Sequence, residues 1–210
     1  SVQLLAPVFP TKVLAIGRNY ADHAVEMGGE TPDSPMLLMK PATSVIGPGA
    51  PIVLPPDSVN VHHEAEFAVV IGSVARNVRA ENASSVILGY TAANDVTARD
   101  LQRADGQWTR AKGYDTFCPL GPAIETEFDP LEGVDVICRV NGEVRQTGQT
   151  TDLVFGVAEL IEYVTRVMTL LPGDVILTGT PAGVGPIVDG DVVEVDVQSI
   201  GVLTNPVVKA

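Results

Sequence analysis

Apolar residues along this chain come in short runs rather than long stripes. Val13 to Gly17 (VLAIG) is such a run and predicts a buried strand. Arg18 to Met27 behind it carries a short helical pattern that stops at Gly28-Gly29. Ser34 to Pro56 is rich in Pro and Gly and holds two extended pieces, MLLMK and PIVL. His62 to Gly72 (HHEAEFAVVIG) predicts a buried strand with a polar mouth. Glu81 to Val86 predicts a short helix, Leu88 to Asp95 a strand, and Thr97 to Gln107 a polar, partly helical segment. Asn141-Gly142 between two extended runs is a hairpin signal. Apolar residues at 153, 154, 157, 160, 161, 164, 167 and 168 share one helical face, which places the longest helix between Thr150 and Met168. Pro172-Gly173-Asp174 turns into VILTG, and Asp189-Gly190-Asp191 into VVEVDV. Strands and helices do not alternate, which disfavours a doubly wound parallel sheet. With no repeat, low-complexity tract or linker, the pattern predicts one β-rich α+β domain over residues 1–210.

Composition narrows the function classes. The chain has 210 residues, 45% of them hydrophobic, so it can bury a full core. Gly (20) and Pro (16) are frequent enough to punctuate many short strands. A formal net charge of −13 argues against a nucleic-acid partner, because phosphate binding needs a basic face. It also means that an anionic ligand needs a local cation. Two cysteines, Cys118 and Cys138, without a CxxC pair fit a reducing cytoplasm. No apolar run reaches membrane-spanning length, and SVQLLAPVFP has no signal-peptide pattern, although the chain starts at Ser1 rather than Met.

Several constellations carry candidate chemistry. Glu64 and Glu66 are two apart, so on a strand they leave the same face, where like charges repel and burial makes the repulsion worse. A hard divalent cation resolves that conflict, with Asp95 at the end of a neighbouring apolar strand as the best third ligand. Three carboxylates leave about half of an octahedral shell for water and substrate. A solvated strand edge is the plain alternative. Zinc fits poorly, since there are three histidines and no HxH or HExxH spacing, and His62 and His63 point to opposite faces.

His23 and Glu26 are neighbours on a helix, where a carboxylate can orient an imidazole as a general base; a surface pair is the plainer reading. The glycines behind them give that helix the character of a mobile lid. Lys112, in WTRAKGYD, is either a receptor for an anionic substrate or a surface charge. Arg99, Asp100, Gln102 and Arg103 form a polar cluster just past Asp95 that can reach the same cavity. Thr178 to Gly185 (TGTPAGVG) can bind a carboxylate through amides and hydroxyls, or be a tight turn; it lacks the ending of a nucleotide-binding P-loop.

Taken in order, IGRNYADH, KP-x-TSVIGPG, HHEAEFAVVIG, GYTAANDVTARDLQ, GQWTRAKGYDTFCPLGP, VNGEVRQ and LLPGDVILTGTPAGVG resemble the fumarylacetoacetate hydrolase family from Ile16 onward. The resemblance implies a mixed β-roll with short flanking helices, usually a homodimer, without the small N-terminal domain of many members. It implies Mg2+ or Mn2+ on Glu64, Glu66 and Asp95, and a catalytic His23–Glu26 pair. It also implies a substrate-facing Lys112, with Arg18, Gln102 and Thr180 as further substrate contacts. The implied substrate is a small 2-oxo acid, whose carboxylate and keto oxygens chelate a hard cation. Three outcomes are open: decarboxylation of oxaloacetate, hydrolysis of an acylpyruvate, or isomerisation of a hydroxy-diene-dioate. The presence of both His23 and Glu26 favours carbon–carbon cleavage, with the isomerase second. Rivals of other classes are a Ca2+-binding β module without catalysis and a cupin-like barrel, the latter disfavoured by the shortage of histidine.

Overall fold

The computed structural model describes residues 4–127 and 133–210. The chain runs β1 (Val13–Gly17), α1 (Ala21–Glu26), β2 (Met36–Lys40), β3 (Val45–Ile46), β4 (Ile52–Leu54), β5 (Val61–His63) and β6 (Ala65–Ile71). It continues through β7 (Ile87–Asn94), β8 (Thr97–Ala98), α2 (Arg99–Asp105), α3 (Thr109–Lys112), β9 (Cys118–Glu125), β10 (Asp135–Val140) and β11 (Glu143–Gln149). The last elements are α4 (Val157–Val167), β12 (Val175–Leu177), β13 (Gly185–Pro186), β14 (Val192–Val197) and β15 (Gly201–Lys209).

These strands form a seven-stranded sheet in the order β2-β1-β12-β6-β7-β9-β3, a five-stranded sheet β11-β10-β14-β15-β4 and a small sheet β13-β5-β8. Pairing is mixed: β1 with β12, β15 with β4 and β3 with β9 are parallel, and the other pairs are antiparallel. This is the β-rich architecture with few short helices that the pattern predicts.

Burial explains the two kinds of strand pattern. Strand β6 is covered on both faces, so all seven of its residues are buried. Phe67, Val69 and Ile71 face the main core, where Phe67 stacks on Tyr90 at 5.0 Å between ring centres. Ala68 and Val70 face a second apolar layer with Val13, Ala15, Val175 and Leu177. In β10 and β14, by contrast, only alternate residues are buried: Val136, Cys138 and Val140 in one, Val193, Val195 and Val197 in the other. Strands β14 and β15 pack across β7 and β9, which places the main core between the two large sheets.

The hairpin at Asn141-Gly142 forms as predicted, with positive φ at both residues (54° and 80°), the signature of a type I′ turn. Three boundaries differ. The run from His62 is not one strand: it breaks at Glu64, so β5 and β6 belong to different sheets. The helix at Arg18 begins only at Ala21, because Arg18 takes a left-handed φ of 57° and Tyr20 is extended. The longest helix starts at Val157 rather than Thr150. Asn19 holds the preceding segment extended, accepting from Phe155 N–H (2.8 Å) and donating to Phe155 C=O (3.0 Å). Leu153 forms an isolated bridge with Tyr20 and Val154 N–H donates to Asn19 C=O, so the helical period continues through both residues by coincidence. Among the described residues, no helix is long and apolar enough to cross a membrane.

Asp174 ties the entry of β1 to the entry of β12. Its fully buried carboxylate accepts from Thr11 Oγ1 (2.6 Å), from the backbone N–H groups of Thr11, Lys12 and Leu171, and from the Lys12 ammonium. Burial lifts the carboxyl's pKa, but these donors outweigh it and hold the value below the ordinary one. A group depressed in this way stabilises the fold above the unfolded-state pKa of ~3.9, and the contribution is lost as pH falls through the lower folded value. Asp174→Asn is expected to cost about 2–3 kcal/mol at neutral pH, a melting-temperature drop of about 4–12 °C. The gap between variant and wild type should narrow below about pH 4; thermal melts across pH check both statements.

Candidate active site

The site grows out of one register. Strands β6 and β7 are antiparallel with Ala65 opposite Asn94. Glu64, just before β6, therefore faces Asp95, just after β7, and Asp95 N–H donates to Glu64 C=O at 2.8 Å. Asn94 fixes the break in the strand by accepting from Glu64 N–H at 2.9 Å. Glu66 lies opposite the small residue Ala93 on the same face of the sheet. Glu64, Glu66 and Asp95 each offer an oxygen within 4.8 Å of the others. All three are buried, at 4%, 2% and 2% exposure, so they are not a solvated strand edge.

Cations offset this burial unevenly. Lys112, at the end of α3, donates to Glu64 Oε2 (2.9 Å), Asp95 Oδ2 and Thr97 Oγ1 (2.8 Å). It is 3% exposed, so the surface-charge reading of this lysine is wrong. Arg99 pairs with Glu64 Oε1 and braces Gln102 Oε1 at 2.9 Å. Lys40, at the end of β2, donates to Asp95 Oδ1 (2.6 Å) and to Val96 C=O (3.3 Å). Burial works to raise the pKa of Glu64, but the Arg99 and Lys112 charges hold it well below the usual carboxylate range. Burial works to lower the pKa of Lys112, but Asp95 and Glu64 raise it on balance, so it is a fixed positive charge rather than a base.

Glu66 is different. Its Oε2 accepts only the Gly179 N–H, at 2.6 Å, and no cationic side chain bonds to it among the described residues. Burial, then the charges of Asp95 and Glu64, push its carboxyl well above the usual range. An all-oxygen anionic set with one under-compensated member suits a hard divalent cation. The donor set thus fits Mg2+ or Mn2+ and offers nothing that soft metals prefer.

A cavity of about 570 Å³ opens beside the cluster, and His23, Glu26, Arg18, Gln102, Thr180 and Lys112 all contribute to its wall with the three carboxylates. His23 is 5% exposed, and its Nδ1 meets Glu26 Oε2 at 2.9 Å. The other Glu26 oxygen accepts the Gly183 N–H at 2.9 Å. The TGTPAGVG loop thus binds carboxylates as its composition allows, but they are the chain's own: Glu66 through Gly179 and Glu26 through Gly183. His62 also lines the cavity, while His63 points the other way, to Gln146. Burial, then the Arg99 charge, brings the His62 imidazole down to about 4, so it is neutral at neutral pH.

Sequence reasoning missed Lys40, whose only signal is that a lysine ends an otherwise apolar strand in a lysine-poor chain. It also missed the role of Asn94, whose side-chain oxygen takes the Glu64 N–H, a contact between residues 30 apart that no local pattern announces.

Comparison with known proteins places this geometry. The pattern described as "Fumarylacetoacetate (FAA) hydrolase C-terminal" matches residues 12–208. A solved structure named 5-carboxymethyl-2-hydroxymuconate delta-isomerase from Mycobacterium smegmatis is 57% identical, with a TM-score of 0.93, over 99% of this chain and 82% of that one. One named 2-hydroxyhepta-2,4-diene-1,7-dioate isomerase from Mycobacterium marinum is 50% identical, with a TM-score of 0.91, over 98% of this chain and 77% of that one. Mitochondrial oxaloacetate tautomerase FAHD2A of Homo sapiens is 46% identical over 220 residues, 99% of this chain and 70% of that protein. The chain belongs to the fumarylacetoacetate hydrolase C-terminal family.

Proposed function

We propose that this chain is a divalent-metal-dependent enzyme that moves a proton on a small 2-oxo or enol diacid, an isomerase or tautomerase. One observation carries the reading: an imidazole oriented by a carboxylate shares a cavity with three converging acidic side chains. Glu64, Glu66 and Asp95 would hold Mg2+ or Mn2+. Such an ion, when bound, supplies the Lewis acidity that steadies negative charge developing on a keto oxygen.

The chain's own residues do the rest. With Nδ1 engaged by Glu26, His23 exchanges protons through Nε2. It takes a proton from the carbon next to the keto group; that bond's electron pair becomes the carbon–carbon double bond, and the carbonyl electrons move onto oxygen. Returning the proton to a different atom completes the isomerisation. Lys112, held charged by its two carboxylates, adds positive potential beside the oxygen that gains charge. Arg18 and Arg103 reach the cavity with no ion pair to an acidic side chain among the described residues, and they suit the far carboxylate of a diacid.

Carbon–carbon cleavage, the first expectation from sequence, is the second reading. The observation in its favour is the same His23–Glu26 bond, since an oriented imidazole also activates water. The isomerase reading stands first because the relatives named above carry isomerase and tautomerase names.

Glu64→Ala is expected to lose all metal-dependent turnover, and undiminished activity of that variant in the presence of chelator would refute the metal role. With Mg2+ or Mn2+, enol–keto interconversion of a diacid should outpace release of carbon dioxide or pyruvate; the reverse ranking in a substrate screen supports cleavage. His23→Ala is expected to slow the interconversion by about 10²–10⁴-fold, read by ultraviolet absorbance of the enol.

A further inference from the structure

The segment VNGEVRQ ends at Gln146, a residue that neither lines the cavity nor takes part in the chemistry proposed above. It sits in β11 and is 1% exposed. Its side-chain amide is used completely. Oε1 accepts from Ala65 N–H at 3.0 Å and meets His63 Nδ1 at 2.9 Å. Nε2 donates to Thr180 Oγ1 and to Pro181 C=O, both at 2.7 Å. The backbone N–H of Ala65 and the carbonyl of Pro181 leave one orientation for the amide, because only oxygen can accept and only nitrogen can donate.

These partners are the neighbours of functional side chains. His63 and Ala65 flank Glu64, so Gln146 Oε1 holds the backbone N–H on one side of that residue and the His63 imidazole on the other. Thr180 and Pro181 lie within the loop whose Gly179 N–H holds Glu66 and whose Gly183 N–H holds Glu26. Thr180 Oγ1 donates onward to Ala65 C=O at 2.8 Å, which closes a ring of hydrogen bonds through β6, the loop and β11.

The loop lies directly on β11. A Cβ at Gly183 would stand 2.1 Å from Arg145 O, and one at Gly148 would stand 2.6 Å from Pro181 Cβ. Backbone meets backbone at Gly183, and the Pro181 ring sits on the bare Gly148, so a shift of the loop is transmitted to β11, and the Gln146 amide carries it towards Glu64.

We propose that Gln146 is a positioning residue that locks the strand bearing Glu64 and Glu66 to the loop anchoring Glu26, so that filling the carboxylate cluster and seating helix α1 are one coupled event. This rests on the reading of the cluster as a metal site. A residue of purely structural importance would lower stability and leave the folded protein's metal affinity alone. A positioning residue changes the affinity itself, since partners outside the ligand set typically tune it by about 10–100-fold.

The test uses the full chain as wild type and as Gln146→Met, which keeps length and removes all four hydrogen bonds. Mn2+ is titrated by calorimetry, and exchange of the Gly179 and Gly183 amide protons is followed by NMR with and without Mg2+. Wild type is expected to bind Mn2+, and Mg2+ is expected to slow exchange at both amides. Folded Gln146→Met should bind Mn2+ about tenfold or more weakly, with Mg2+ no longer protecting Gly183. Absence of Mn2+ binding in wild type removes the metal reading and this proposal together. Normal wild-type binding with an unchanged Mn2+ affinity in folded Gln146→Met overturns the role of Gln146 alone. Where the variant does not fold, wild type decides: Gly183 exchange unaffected by saturating Mg2+ overturns the coupling, and slowed exchange upholds it.

Discussion

Three carboxylates buried within 4.8 Å of one another are the constraint around which this molecule is organised. Removing one charged carboxylate from water costs several kcal/mol, and like neighbours add to the cost. The fold answers with three buried cations, Lys40, Arg99 and Lys112, and with the backbone amide of Gly179. Two of the chain's four lysines are committed to this one place, in a molecule whose formal charge is −13. The compensation is lopsided, since among the described residues Glu64 and Asp95 each have two cations and Glu66 has none bonded to it. That asymmetry gives the cluster its appetite for a further positive charge.

The sheets place these groups without any long element. The pairing of β6 with β7 sets Glu64 against Asp95, and the pairing of β12 with β6 carries the loop after β12 over Glu66. Helices contribute by their ends: Lys112 closes α3 and Arg99 opens α2. Because β6 is buried on both faces, its backbone is held from above and below, a rigid base of the kind that precise ligand placement needs.

Much of this was legible in the residues. VLAIG, MLLMK and VVEVDV correspond to β1, β2 and β14 residue for residue: β1 is apolar because core covers it, and β14 alternates because only one of its faces is buried. The nine candidate site residues line one cavity; the paired acids were readable from their spacing, whereas Arg18, Gln102 and Thr180 were indicated by the family resemblance alone. What was not legible depends on partners distant in sequence. Leu153 and Val154 continue a helical period, yet Asn19, 136 residues away from Phe155, keeps that segment extended. Lys112 looks like a surface lysine until Glu64 and Asp95 come to meet it. Gln146 is an ordinary polar residue within a strand, and its four contacts come from two distant stretches, residues 63–65 and 180–181, that no local pattern links to it.

The parallel pairing of β1 with β12 and of β15 with β4 has a kinetic corollary. Each joins stretches from opposite ends of the polypeptide, so the first and last thirds of the chain are woven together rather than stacked as successive modules. Such pairings close large loops before they gain stabilising contacts, which places a protein among slow folders. The acidic cluster takes its carboxylates and their cations from residues 40–112, but the amide on Glu66 comes from Gly179, just beyond β12. That one contact waits for the late strand β12 to take its place beside β6, so the environment of Glu66 is the last part of the cluster to be completed.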